Sequence, residues 1–134
     1  MMDFEYKEEE ELKDRLVGRS IVKWTKDYLK LDDGTLVETE MTESDCCALA
    51  YGEFKDFKLD AVITDVRYSE PKDESNEDTN ISTREIVFIH NANPMGVIDL
   101  YADGGNGGYY FSVVAIKVND IYFYGVSDTD AEVE

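Results

Sequence analysis

Histidine, cysteine, tryptophan and proline are scarce in this chain: one His, two Cys, one Trp and two Pro in 134 residues. The two cysteines, Cys46 and Cys47, are neighbours. A disulfide between them would close a strained eight-membered ring and staple no distant segments, so they read as reduced thiols in a reducing compartment. Long apolar runs are missing too. None approaches the roughly 20 residues that span a bilayer, and the acidic N-terminal stretch carries no signal-like apolar region, so a cytoplasmic protein without a membrane partner is expected. Positive charge is the largest deficit: 13 Lys and Arg face 31 Asp and Glu, a net charge of -18. Such a surface repels nucleic acid and anionic membranes, which excludes direct nucleic-acid binding; a charged partner should be basic. Acidity also serves solubility alone, and that plainer reading stays beside the first.

What the chain does have is a core. Hydrophobic residues make up 43% of it, with nine Tyr and six Phe, enough for one domain and too little for two. Residues 2–17 form an acidic segment whose helical period runs from Asp3 to Val17, with Phe4, Leu12 and Leu16 as the apolar stripe and Gly18 as the stop. From Arg19 the period becomes two. Ser20 to Trp24, Tyr28 to Leu31 and Thr35 to Glu40 read as a meander, with Asp33-Gly34 as a hairpin turn. Thr42 to Asp45 are turn and capping residues, so Cys46 to Tyr51 is expected to be a short helical turn or an irregular insertion.

Leu59 to Tyr68, Thr83 to His90, Val97 to Tyr101, Tyr109 to Val118 and Ile121 to Val126 read as further strands. Between the first two lies a mobile acidic loop, 70–80, and after the last comes a frayed acidic tail, 127–134. The Gly-rich stretch Asp103 to Gly108 lacks the Gly-Lys-Ser/Thr ending of a phosphate loop and reads as a long hairpin turn. The expected fold class is therefore α+β: one domain, 1–134, with an N-terminal helix packed on a mainly antiparallel, twisted β-sheet over 18–126.

Three constellations bear on function. Cys46, Cys47 and His90, completed by Asp45 or Glu43, offer soft thiolates and an imidazole to one structural zinc ion, provided the backbone at the cysteines is irregular enough to aim both thiols at it. The same thiols with His90 would make a thiol-dependent enzyme, although no nucleophile signature surrounds them. Carboxylate clusters at Glu8, Glu9 and Glu10 and at Asp73, Glu74, Glu77 and Asp78 could stand where a basic protein expects phosphates, and so form a partner-binding surface. A sponge for a nucleotide signal is the alternative, but it needs converging Arg or Lys that the chain does not advertise.

The segments Gly18-Arg19-Ser20-Ile21, Leu31-Asp32-Asp33-Gly34-Thr35, Cys46-Cys47-Ala48-Leu49-Ala50-Tyr51-Gly52-Glu53, Val62-Ile63-Thr64-Asp65-Val66 and Gly107-Gly108-Tyr109-Tyr110 resemble a family of small phage-encoded proteins over about 18–118. In size and acidity the chain also resembles the anti-CRISPR inhibitors of type II Cas9. This second resemblance implies a non-enzymatic inhibitor that binds Cas9 in a bacterial host cell and blocks a nucleic-acid binding or loading step. It carries over no contact residues.

Overall fold

The computed structural model describes residues 6–45, 47–105 and 111–132. They form a sheet-dominated single domain with one short α-helix among them. Two sheets carry the fold. The first contains β1 (Tyr6–Lys7), β2 (Ile21–Thr25), β3 (Tyr28–Leu31), β4 (Leu36–Ser44), β10 (Ser112–Val118) and β11 (Ile121–Ser127), in the order β1-β11-β10-β4-β3-β2. The second contains β5 (Leu49–Lys55), β6 (Asp65–Tyr68), β8 (Ile81–His90) and β9 (Asn93–Asp103), in the order β5-β9-β8-β6, with β7 (Lys72–Asp73) paired to the first half of β8. All these pairings are antiparallel except that of β1 with β11.

Alternation explains why one core forms. Along β9, Met95, Ile98, Leu100 and Ala102 are buried, and along β8 Ser82, Ile86 and Phe88 are. The first sheet contributes Leu29, Val37, Val114, Ile116 and Phe123 to the same cluster. Period-two side chains from two sheets thus meet in a single layer, leaving the other face of the second sheet for polar residues. Phe57, in the connection after β5, wedges into this layer. Its ring lies 5.1 Å from Phe88, 5.8 Å from Trp24 and 6.0 Å from Phe54, centroid to centroid. Room for it comes from Gly96, where a Cβ would collide with the Phe57 ring.

Several boundaries differ from the sequence expectation. The helix, α1, spans Glu9–Leu16 instead of starting at Asp3; residues 3–5 lie outside the described residues. Tyr6 and Lys7 instead pair with Tyr122 and Phe123 of β11, and the Tyr6 hydroxyl donates to Glu43 at 2.7 Å. Leu12 and Leu16 are the buried stripe of α1, but two turns of helix do not make an α layer: the α+β expectation becomes a sheet-dominated fold. β4 continues through Met41, Thr42 and Glu43 because β10 supplies a partner strand for them. The segment after the cysteines is the regular strand β5, whose small residues let the sheets approach: a Cβ at Gly52 would meet Thr39 and Leu100. Of the strand expected over Leu59 to Tyr68, only Asp65–Tyr68 is one.

The acidic loop and the acidic tail also take defined structure. Segment 70–80 holds β7 and two turns in which side-chain oxygens cap backbone amides, Asp73 receiving Ser75 N–H at 2.8 Å and Asn76 receiving Asp78 N–H at 2.8 Å. The tail expected to fray begins as a 3-10 helix, Asp128–Glu132. Asp128 is buried, its carboxylate accepting from Ser112 N–H at 2.9 Å and its carbonyl from the Ser82 hydroxyl at 3.1 Å, so one residue joins β10 to β8.

Two substitutions test this packing by denaturant unfolding. Gly96→Ala must displace Phe57 from the core and should destabilise by about 2–3 kcal/mol, as overpacking does. Ala92, exposed in the β8–β9 turn at φ 70°, occupies left-handed backbone that favours glycine, so Ala92→Gly should stabilise by about 0.5–1 kcal/mol.

Candidate functional site on the outer face of the second sheet

Of the residues proposed as metal ligands, Cys47 and His90 are not brought together. β8 runs ten residues, so at about 3.3 Å per residue its ends lie roughly 30 Å apart. His90 is the last residue of β8, before the turn to β9, while Cys47 precedes Leu49, whose register partner Asp103 pairs with Ile81 at the other end. Both ring nitrogens of His90 are occupied, Nδ1 by the Val62 carbonyl at 2.7 Å and Nε2 by the Asn91 amide at 3.1 Å. The oxygen candidates are engaged as well: Asp45 accepts from Phe111 N–H at 3.1 Å and Glu43 from the Tyr6 hydroxyl. Cys47 is exposed in the β4–β5 turn, and Cys46 lies outside the described residues. Among the described residues no three of His, Cys, Asp and Glu are grouped to hold a metal. The Cys47 thiol and the His90 imidazole are therefore separated both for a zinc site and for a Cys–His pair.

The second sheet brings together a different set. Three strands in register place outward side chains in rows across the sheet: Tyr51, Tyr101 and Thr83 in one row, Glu53, Asp99 and Glu85 in the next, Lys55, Val97 and Val87 in the third. β7 sets Lys72 beside Thr83, and Glu74 follows it. These rows floor a groove of about 340 Å³. At one end the rings of Tyr51 and Tyr101 lie 5.0 Å apart and tilted by 32°, and Tyr51 keeps 49% of its surface exposed. An exposed, preordered aromatic pair of this kind is a ready contact surface for a flat or cationic group.

Charge in the groove is unbalanced. Neighbouring strands are about 4.8 Å apart, so Glu53, Asp99 and Glu85 stand side by side, an arrangement that like charges disfavour. Lys55 relieves part of it, with Nζ 2.7 Å from Asp99 and 3.5 Å from Glu53. Its hydrogen bond to Asp99 holds the ammonium above its ordinary pKa. Glu85 has no cation beside it among the described residues. Of the other two cations on the lining, Arg84 is turned into hydrogen bonds with backbone carbonyls and only Lys72 projects freely. Partial burial and a 3.0 Å hydrogen bond to Asp103 push the Tyr101 hydroxyl up to about 12.

Residues 14–116 match the DUF7448 family, described as a domain of unknown function. The chain belongs to the DUF7448 family. No curated protein and no solved structure matches it. The matched stretch of the DUF7448 domain contains β5, β8 and β9 entire, so the groove is built wholly from family residues, while β1, β11 and the 3-10 helix stand outside it. No helix among the described residues is long and apolar enough to cross a membrane.

Of the acidic partner-binding candidates in the DUF7448 protein, only Glu74 lines the groove. Asp73, Glu77 and Asp78 are exposed on the neighbouring loop, and Glu8 and Glu10 are exposed at α1, away from the groove rows, with Glu9 half-buried. Sequence reasoning missed Glu53, Asp99, Glu85, Tyr51 and Tyr101. Period-two alternation puts each on the polar side of its own strand, but only the register shows that they share rows.

The tyrosine environments predict a pH response. Burial first, then the hydrogen bond to Glu43, also raises Tyr6 to about 12, whereas an unfolded tyrosine ionises near about 10. The folded state therefore holds these protons more tightly. The stability they contribute is full below about pH 10 and is lost as pH rises towards 12. Urea unfolding between pH 9 and about 12 should show this decline, and the double variant Tyr6→Phe, Tyr101→Phe should lessen it, the remainder coming from Tyr68 and Tyr124, which burial also raises.

Proposed function

We propose that this protein is a non-enzymatic binder of a basic, nucleic-acid-handling protein, and that it inhibits that partner by occupying a cationic surface otherwise used for nucleic acid. The supporting observation is the row Glu53, Asp99 and Glu85, three adjacent carboxylates served among the described residues by Lys55 alone and bordered by the exposed Tyr51–Tyr101 pair. A lysine or arginine from a partner would relieve the repulsion in that row while its stem or guanidinium packs on a tyrosine ring. The remaining acids, Glu8, Glu9, Glu10, Asp73, Glu74, Glu77 and Asp78, supply the long-range field that speeds encounter and repels polynucleotides. The resemblance to anti-CRISPR proteins makes Cas9 the specific partner we put forward, met in the cytoplasm of a bacterial host cell.

The competing readings draw less support from the same residues. A nucleotide sponge needs cations converging on phosphates; on this lining Lys55 is bound to carboxylates and Arg84 gives two donors to backbone carbonyls, which leaves Lys72 among Glu53, Glu74, Glu85 and Asp99. A thiol enzyme needs a histidine within hydrogen-bond reach of its cysteine, and His90 stands at the far end of β8 from Cys47.

Pull-down against Cas9, with and without guide RNA and across salt concentrations, tests the proposal. Binding is expected at low salt and should weaken as salt screens the field. Glu85→Gln combined with Tyr51→Ala, both at exposed positions, should reduce affinity by about tenfold or more without altering the melting temperature. Absence of binding at low salt, or full binding by this variant, contradicts the reading.

A further inference from the structure

A second cavity, of about 300 Å³, adjoins the groove and shares Arg84 with it. Arg84 Nε donates to the Ser69 carbonyl at 2.8 Å and Nη1 to the Gly125 carbonyl at 3.1 Å, while the guanidinium lies 4.7 Å over the Tyr68 ring. A guanidinium carries five N–H donors, so three remain. No carboxylate pairs with this arginine among the described residues, in a chain with 31 acids. No buried side-chain nitrogen or oxygen among them lacks a hydrogen bond, so the unused Nη2 must be open to solvent. Among the described residues the Tyr68 hydroxyl likewise has no hydrogen-bond partner.

The walls differ in character from this floor. Tyr6 and Tyr124 meet edge to face at 5.7 Å, and their hydroxyls are already given to Glu43 and to Asp130, the latter at 2.9 Å. Both residues line the cavity, Tyr124 with its hydroxyl turned to Asp130. Burial keeps the Tyr68 and Tyr124 hydroxyls protonated well above the usual phenol range. Aromatic walls around open, charge-assisted donors suit an oxyanion carried on a flat apolar body. Glu8 and Glu9 offset Lys7 and Arg84 on the lining, so no positive excess is left there for a dianion, which the net charge of -18 disfavours further.

We propose that this cavity binds a small aromatic monocarboxylate, with the carboxylate on the open edge of Arg84 and the Tyr68 hydroxyl and the ring against Tyr6 and Tyr124. The site does not depend on what the outer groove binds. The probe is benzoate, titrated into the full chain while the Arg84 Nε–Hε resonance and the tyrosine ring signals are followed by NMR, with acetate and inorganic phosphate as comparisons.

Saturable shifts with benzoate are expected, at an affinity about tenfold or more above acetate or phosphate, because the ring and the single charge both contribute. Arg84→Lys keeps the charge but loses the planar fork and should weaken benzoate by about tenfold. A purely structural arginine would lower the melting temperature on substitution and leave benzoate affinity unmoved. If Arg84→Lys does not fold, Tyr68→Phe, which removes only the second donor, should weaken benzoate by about threefold or more. Absence of saturable shifts, unchanged affinity in the variant that folds, or phosphate binding as tightly as benzoate overturns the assignment.

Discussion

Burial of one face of each sheet against the other is the constraint from which the rest follows. Once Ile86, Phe88, Ile98 and Leu100 meet Val37, Val114, Ile116 and Phe123 in one layer, alternation sends every second residue of β5, β8 and β9 outward. Close approach is what makes the layer dry. Gly52 and Gly96 stand where a Cβ would strike Thr39 or Phe57, and Gly125 is the extra residue of a bulge opposite Val114 and Ala115, where a Cβ would strike the Val114 carbonyl. The groove is thus a product of core packing: its rows are aligned because the inner faces fix the register.

Accommodating 31 acids with 13 cations is the second problem, and tyrosine hydroxyls carry part of it. Tyr6 donates to Glu43, Tyr101 to Asp103, Tyr122 to Glu40 and Tyr124 to Asp130. Each pair satisfies a carboxylate without neutralising it, so the surface stays acidic while its acids stay ordered. A lysine at each place would have stabilised similarly and erased the field. Retention of charge in this form fits the proposed binding of a basic partner, and the row Glu53, Asp99 and Glu85 sets such charge beside an aromatic pair.

Much of the strand pattern was legible. The strands Thr83 to His90 and Ile121 to Val126 and the Asp33-Gly34 turn lie close to where alternation and turn chemistry put them. The start of α1 was not, because Glu and Lys favour helix locally while Tyr6 and Lys7 are held as strand by β11, more than a hundred residues away. β5 was hidden by small residues that signal irregularity in isolation and close packing in context. The groove was illegible for a simpler reason: Tyr51, Glu85 and Asp99 are ordinary outward residues until three distant strands are laid side by side. Joining Cys47 to His90 required a return of the chain that the β8–β9 hairpin forbids.

The most direct test of the account is amide-shift mapping by NMR with a short arginine-rich peptide at low salt. The predicted result is a saturable set of shifts centred on Tyr51, Glu53, Thr83, Glu85, Asp99 and Tyr101. Shifts spread evenly over Glu8 to Glu10 and the 70–80 segment, with none on β5, β8 or β9, would contradict it.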